Sequence, residues 1–251
     1  MNRQAVTAAK RIVLKVGSSS LTGKAGSELD SNSVNKLVDV VAAARARGAE
    51  VVVVSSGAIA AGLAPLGLAS RPKDLATQQA AASVGQGLLV HRYTESFARH
   101  KITASQVLIT TQDIVRRAHY QNAQRPLYKL LALGVVPIIN ENDSVATNEI
   151  RFGDNDRLAA RIGQAAQASG VILLSDIDGL YTANPKTDPA AKLVPQVSRI
   201  DARIMAMAAR TSRQVIARST APPTPMVKEP IARVETSAVM NDATTPVVPH
   251  I

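Results

Sequence analysis

The chain contains no cysteine among its 251 residues, which removes disulfides and thiolate metal sites and fits a cytoplasmic protein. Aromatic residues are scarce at 2%, leaving little on which nucleic-acid bases could stack. No apolar run approaches the roughly 20 residues needed to cross a bilayer. Met1 to Lys10 lacks the apolar core of a signal peptide. Glycine is missing after Gly179, while Thr211 to Ile251 holds six prolines: Pro222, Pro223, Pro225, Pro230, Pro246 and Pro249. With no clear strand or helix periodicity, residues 211–251 read as an atypical Pro-rich tail and a candidate for disorder, beyond a folded domain at 1–210.

What is present indicates a globular protein. A hydrophobic content of 46% over this length can bury a sizeable core, in one large α/β domain or two small ones. The formal net charge of +10 admits nucleic acid, a membrane surface or anionic ligands as partners. Its arginines and lysines are scattered, for the most part singly, which argues against nucleic acid. Neither nucleic acid nor a membrane is therefore expected as a partner. A basic chain remains compatible with a polyphosphate held beside a second substrate.

Strand-like and helix-like segments alternate. Arg11 to Val16, Glu50 to Ser55, Thr103 to Thr110, Val135 to Ile139 and Val171 to Leu174 read as strands. The β-branched run Val51 to Val54 is suited to burial on both faces. Between the strands, Asn32 to Arg47 carries helical spacing of Val34, Leu37, Val38, Val41 and Ala42, and Gly48 ends it. Helix resumes from Ala58, then over Leu75 to Arg99 with interruptions at Gly85 and Gly87, Asn122 to Leu133, and Asp156 to Ser169. The alternation predicts a mainly parallel sheet covered by helices on both faces.

Polar loops follow several of these strands, at the edge where open parallel sheets bind ligands. Asn140-Glu141-Asn142-Asp143 begins where the apolar strand is expected to end, and Gly153-Asp154-Asn155-Asp156 comes shortly after. So many carboxylates and carboxamides are poor core material, and a substrate site or a solvated acidic loop would each account for them. Lys15-Val16-Gly17-Ser18-Ser19-Ser20 offers a cation, a glycine for a tight turn, and hydroxyls suited to phosphate, although the lysine could equally be a surface residue before a turn. It lacks the spacing of a Walker A loop. Ser55-Ser56-Gly57 precedes a helix and either approaches an anion or supplies a plain serine N-cap. Ser175-Asp176-Ile177-Asp178-Gly179 is a further polar loop or merely a turn stabilised by Asp176.

Taken in order, Lys15-Val16-Gly17-Ser18-Ser19, Val54 to Gly62, Gln79 to Gln86, Asn140 to Asp143, Gly153 to Asp156 and Ser175 to Tyr181 resemble the amino acid kinase family. The likeness is to the branch that phosphorylates the side-chain carboxylate of L-glutamate, and it covers roughly residues 10 to 205. Kinases of the same fold acting on acetylglutamate, aspartate or uridylate are the alternative within the family. The resemblance implies a three-layer αβα sandwich and the use of ATP and Mg²⁺ to make L-glutamyl 5-phosphate, the first step of proline biosynthesis. It also implies proline as feedback inhibitor and a homo-oligomer. Lys15 would contact the transferring phosphoryl group, with Gly17 and Ser18 lining the phosphates. Ser56, Asp143 and Asn155 match glutamate-binding positions, Asp143 holding the ammonium and Asn155 a carboxylate, with Asp154 in support. Asp156 matches the carboxylate that orients the catalytic lysines, and Ser175 with Asp176 matches part of the nucleotide site. No protein metal ligand is implied.

The pattern stops after Ile204. The family's glycine-rich phosphate segment and its following lysine have only a faint echo in Met226-Val227-Lys228, where Pro222, Pro223 and Pro225 stand in place of glycines and cannot donate a backbone N–H. Many bacterial members add a PUA domain, for which the chain is too short. Losing one charge-stabilising donor typically costs about 2.7 to 4 kcal/mol of transition-state stabilisation. Two expectations follow: a kinase weakened in phosphoryl transfer, or an impaired homologue that binds glutamate or proline without the ATP loop.

Overall fold

The computed structural model describes residues 8–23, 28–110, 117–145, 155–175 and 177–208. The chain divides after Asp178 into two compact units. The first carries, in order, β1 (Arg11–Val16), α1 (Ser31–Ala46), β2 (Glu50–Ser55), α2 (Ala58–Leu63), α3 (Leu75–Ala98), β3 (Ala104–Ile109), α4 (Arg117–Ala132), β4 (Val136–Glu141), α5 (Asn155–Ala165) and β5 (Gly170–Leu174). The strands form one five-stranded sheet in the order β3-β4-β2-β1-β5, with every pair parallel.

Strand alternation divides the core into two layers. Leu14, Val16, Val51, Val53, Val136 and Ile138 face α1 and α3, where they meet Val34, Val38, Val41, Leu89, Tyr93 and Phe97. Val13, Val52, Val54 and Ile139 face the other way, against Leu127 and Leu131 of α4 and Leu158, Ala159 and Ile162 of α5. Helices thus cover both faces, giving the expected three-layer sandwich. The Val51 to Val54 run is buried on both sides, as its composition predicts.

Several boundaries differ from the sequence expectation for physical reasons. Helix α1 starts at Ser31 because the Asp30 carboxylate accepts hydrogen bonds from Asn32 N and Ser33 N. Helix α3 is continuous through Gly85 and Gly87. A Cβ on Gly85 would collide with Ala58 O and Gly62 N, and one on Gly62 with Ala81 O, so these glycines allow α2 and α3 to pack backbone against backbone. Helix α4 is already formed at Arg117 and tolerates Pro126 inside it. Helix α5 ends at Ala165, short of Ser169: Gln167 turns left-handed at φ 49, and Ala168 N donates to Gly163 O to close the end.

The largest correction is at β4. Pairing with β3 continues through Leu108 with Asn140 and Ile109 with Glu141, so the polar residues begin inside the strand and all six strand residues are buried.

In the second unit, an antiparallel bridge joins Tyr181 to Leu193, and residues 202–208 are helical. Residues 211–251, including Lys228, lie outside the described residues, as do Asp154 and Asp176.

Candidate functional site

Because all five strands are parallel, the loops after β1, β2, β4 and β5 leave the same edge of the sheet. Register brings them side by side. Val16 pairs with both Ser55 and Leu174, so Gly17, Ser56 and Ser175 emerge from adjacent strands. Ser56 N also donates to Val16 O at 3.1 Å.

Lys15 reaches across to the start of α5. Its Nζ lies 2.8 Å from Asp156 Oδ1, with the lysine side chain 13% exposed and the aspartate 57%. A largely buried ammonium is thereby held by a carboxylate still open to solvent. Gly17 is extended, at φ −78 and ψ 160, so it supplies no special turn geometry. A Cβ there would meet Lys15 Nζ at 3.6 Å, an ordinary van der Waals contact, so the position has room for a side chain. The turn is made by the short 3₁₀ segment Ser18–Ser20, whose residues are exposed.

One residue before Asp156, Asn155 joins a buried polar cluster. Its Nδ2 donates to Ser56 Oγ at 2.7 Å, Asn140 Oδ1 at 3.2 Å and Ser55 O at 3.3 Å. Asn140 Oδ1 also accepts from Glu141 N at 2.9 Å, while its Nδ2 donates to Gln86 Oε1 at 2.7 Å. Sequence reasoning placed Gln86 and Asn140 within motif blocks but gave neither an individual role. The available signal was a glutamine in the helical stripe of Ala82, Leu89 and Tyr93, a position that excludes solvation and therefore requires a polar partner.

The serines do not cap α2. Its N-cap is Gly57, left-handed at φ 107 and without a side-chain cap bond. Ser55 instead lies with its Oγ 3.0 Å from the phenol of Tyr93 and donates to Ser56 O at 3.1 Å. Since the serine proton is used there, the Tyr93 O–H is the donor to Ser55. Burial pushes the Tyr93 phenol well above its ordinary pKa, the Ser55 bond partly opposing, so it stays a neutral donor.

Asp143 opens a short 3₁₀ turn just beyond β4 and is half-buried. Burial, reinforced by the negative charge of Glu141, pushes its carboxyl up to about 6, while the Arg71 cation works the other way. Such a carboxylate gains when a cation arrives. The structure thus assembles Lys15, Gly17, Ser18, Ser56, Asp143, Asn155, Asp156 and Ser175 at one sheet edge or in the loops leaving it. Among the described residues, no group of three or more His, Cys, Asp or Glu residues is placed to hold a metal ion.

A lysine–aspartate pair beside a neutral amide cluster at a switch point of a parallel sheet places this α/β protein's polar groups where such sheets bind ligands. The amino acid kinase family model matches residues 10–233, running beyond residue 205 where the recognisable motifs end. The chain belongs to the amino acid kinase family.

It is 62% identical over 191 residues to the glutamate 5-kinase of Streptomyces coelicolor, covering 76% of this chain and 51% of that protein. Against the glutamate 5-kinase of Thermobifida fusca, identity is 58% over 196 residues, covering 78% and 50%. The chain spans about half the length of these curated relatives. A UMP kinase structure from Bacillus anthracis superposes with a TM-score of 0.51 at 15% identity, over 80% of this chain and 83% of that one, and supports the fold alone.

Proposed function

We propose that the chain is a glutamate 5-kinase, transferring the γ-phosphoryl group of ATP to the side-chain carboxylate of L-glutamate in the first step of proline biosynthesis. The observation that carries this reading is the pair of neighbouring residues at the start of α5: Asn155 belongs to the amide cluster and Asp156 holds Lys15. One helical turn thereby links a pocket for an amino acid to a cation for a phosphoryl group. Identity with glutamate 5-kinases supports glutamate over other acceptors.

In this reading a glutamate carboxylate oxygen forms a bond to the γ-phosphorus as the bond to the ADP oxygen breaks. No proton has to move, so the protein's task is to align two anions and offset their charge. Lys15 neutralises the transferring group, and Asp156 fixes the lysine's position. Ser56, Asp143 and Asn155, with Asp154, hold glutamate. Gly17 and Ser18, with Ser175 and Asp176, line the nucleotide side. Mg²⁺ characteristically binds through one or two carboxylates plus substrate phosphates, and the open Asp156 carboxylate suits that sparse donor set. The ion would add further charge neutralisation.

The reading extends to a cytoplasmic homo-oligomer inhibited by proline in the glutamate pocket, with the kinase domain over 1–210 and the Pro-rich segment 211–251 outside it. No helix among the described residues is long and apolar enough to cross a membrane.

ADP release from ATP and Mg²⁺, with and without L-glutamate and with hydroxylamine to trap the acyl phosphate, tests the proposal. Glutamate-dependent turnover with hydroxamate formation is the expected result. A folded sample that binds glutamate yet gives neither product would overturn the kinase reading in favour of an impaired glutamate- or proline-binding homologue.

A further inference from the structure

The candidate site lies where the strands end, and a second surface feature lies where they begin. Helix α1 finishes just before β2 starts, so its last turns stand at the opposite end of the sheet from Lys15 and Asp156. An open groove of about 550 Å³ runs between those turns and the residues that lead into β3. Ala42, Ala43, Ala46 and Ile102 supply its apolar lining, and Asp39, Arg45 and His100 its polar one. More apolar surface adjoins it. Val40, one helical turn before Ala43, and Leu133 are each 64% exposed, more than any other large hydrophobic residue among those described. Leu133 precedes Gly134, where a Cβ would come within 3.5 Å of Arg45 Nη2, so the arginine reaches that loop. Exposed apolar side chains gathered in one place mark surfaces that meet a partner.

Charge at the groove is one-sided. Asp39 is the only carboxylate lining it, and its Oδ1 is already taken by Arg99 Nη2 and His100 Nε2, each at 2.7 Å. Arg45, Arg47 at the C-cap of α1, and Lys101 beside Ile102 form no ion pair among the described residues. An anionic partner therefore meets uncompensated positive charge next to apolar surface. No aromatic side chain lines the groove, so bases would have nothing to stack on. A bilayer surface is broad and flat and does not enter a recess.

We propose that this groove docks an acidic polypeptide segment of a partner protein, its apolar side chains resting on Ala43, Ala46 and Ile102 and its carboxylates facing Arg45, Arg47 and Lys101. The groove is open along its length, so it suits a chain laid across the surface rather than an enclosed small molecule. Docking there leaves the opposite edge of the sheet uncovered, and the inference stands apart from the proposed function.

Fluorescence anisotropy on the full chain tests it, with a labelled Glu-rich peptide bearing leucines and a counterpart carrying serine at each leucine. At physiological salt the leucine peptide should bind saturably and roughly tenfold tighter than the serine peptide, the scale of burying one leucine. Arg45→Glu should weaken it by about tenfold or more, since a like charge then faces the peptide's carboxylates. Ala46→Glu, at an exposed position, should do the same and covers the case in which Arg45→Glu does not fold. Arg125→Glu makes the same charge change as Arg45→Glu on α4, which covers the other face of the sheet, and should leave binding nearly unchanged. Circular dichroism establishes which variants are folded. Absence of saturable binding, equal affinity for the two peptides, or a folded Ala46→Glu that binds like Arg125→Glu would each refute the docking groove. Displacement of the peptide by oligouridylate or by phosphatidylserine vesicles at lower concentration than by unlabelled peptide would refute it too, assigning the surface to nucleic acid or to lipid.

Discussion

Strands β4 and β5 lie in the same parallel sheet but treat their side chains in opposite ways. β4 contains Asn140 and Glu141 and is buried along its whole length. β5 is Gly-Val-Ile-Leu-Leu, yet Val171 is 40% exposed and Leu173 50%. Polarity therefore does not order these two strands by burial; position does. β4 has a strand on each side and helices over both faces, whereas among the described residues β5 is an edge strand and pairs only with β1. The difference matters at the candidate site: the amide cluster beside β4 is built from polar groups that the fold encloses and pairs, so that their orientations are fixed by the protein itself.

The strongest way to break the comparison is at β1, which lies between the two regions. Lys15→Ala should lower kcat by 10²- to 10³-fold, about 2.7 to 4 kcal/mol, by removing the largely buried cation paired with Asp156. Asp156→Asn should cost less, because the lysine remains. Steady-state kinetics for both variants would check this order, and equal rates for Lys15→Ala and the parent would remove the lysine from the chemistry.

Next in size is the packing that supports the amide side. Gly85→Ala should destabilise the fold by about 3 kcal/mol, since the added methyl meets the Ala58 and Gly62 backbone, which cannot step aside as a flexible side chain would. Denaturant unfolding measures it.

Asp143 gives a smaller, pH-dependent effect. Its folded pKa of about 6 lies above the ordinary 3.8, so the folded state binds the extra proton between those values. The stability it contributes is full below about pH 3.8 and is lost as pH rises through 6. Asp143→Asn should therefore stabilise the fold at pH 8, by about 1 kcal/mol once solvent screening of this partly exposed group is set against its rise from 3.8 to about 6. The same change should raise the KM for glutamate, as should lowering the pH of the parent protein below 6. Unfolding at pH 4 and 8, alongside KM over that range, separates the two effects.

The smallest effect is expected at β5. Leu173→Ser replaces an apolar side chain that is half exposed, and its stability change should stay within about 0.5 kcal/mol. A loss comparable to that of Gly85→Ala would show that β5 is covered in solution.

Much of this was legible in the residues. Val51 to Val54 specified a strand buried on both faces, and the polar turns after β1, β2 and β5 marked one sheet edge. The Lys15–Asp156 ion pair has no local signature, because the two stand 141 positions apart and only the family resemblance relates them. Gly85 reads locally as a helix breaker, and only the approach of α2 makes it a helix residue. Asn140 reads as the first residue of a loop until β3 is placed beside it.

By itself the sequence determined the alternation of strands and helices, the parallel sheet, and the set of polar residues at its edge, because periodicity and turn chemistry act over a few residues. Tertiary structure alone decided which amide faces which, that Gln86 lies behind Asn140, and that Asp143 sits in surroundings that raise its pKa. Hydrogen-bond direction and desolvation depend on neighbours brought together from distant parts of the chain, and those neighbours exist only once the chain has folded.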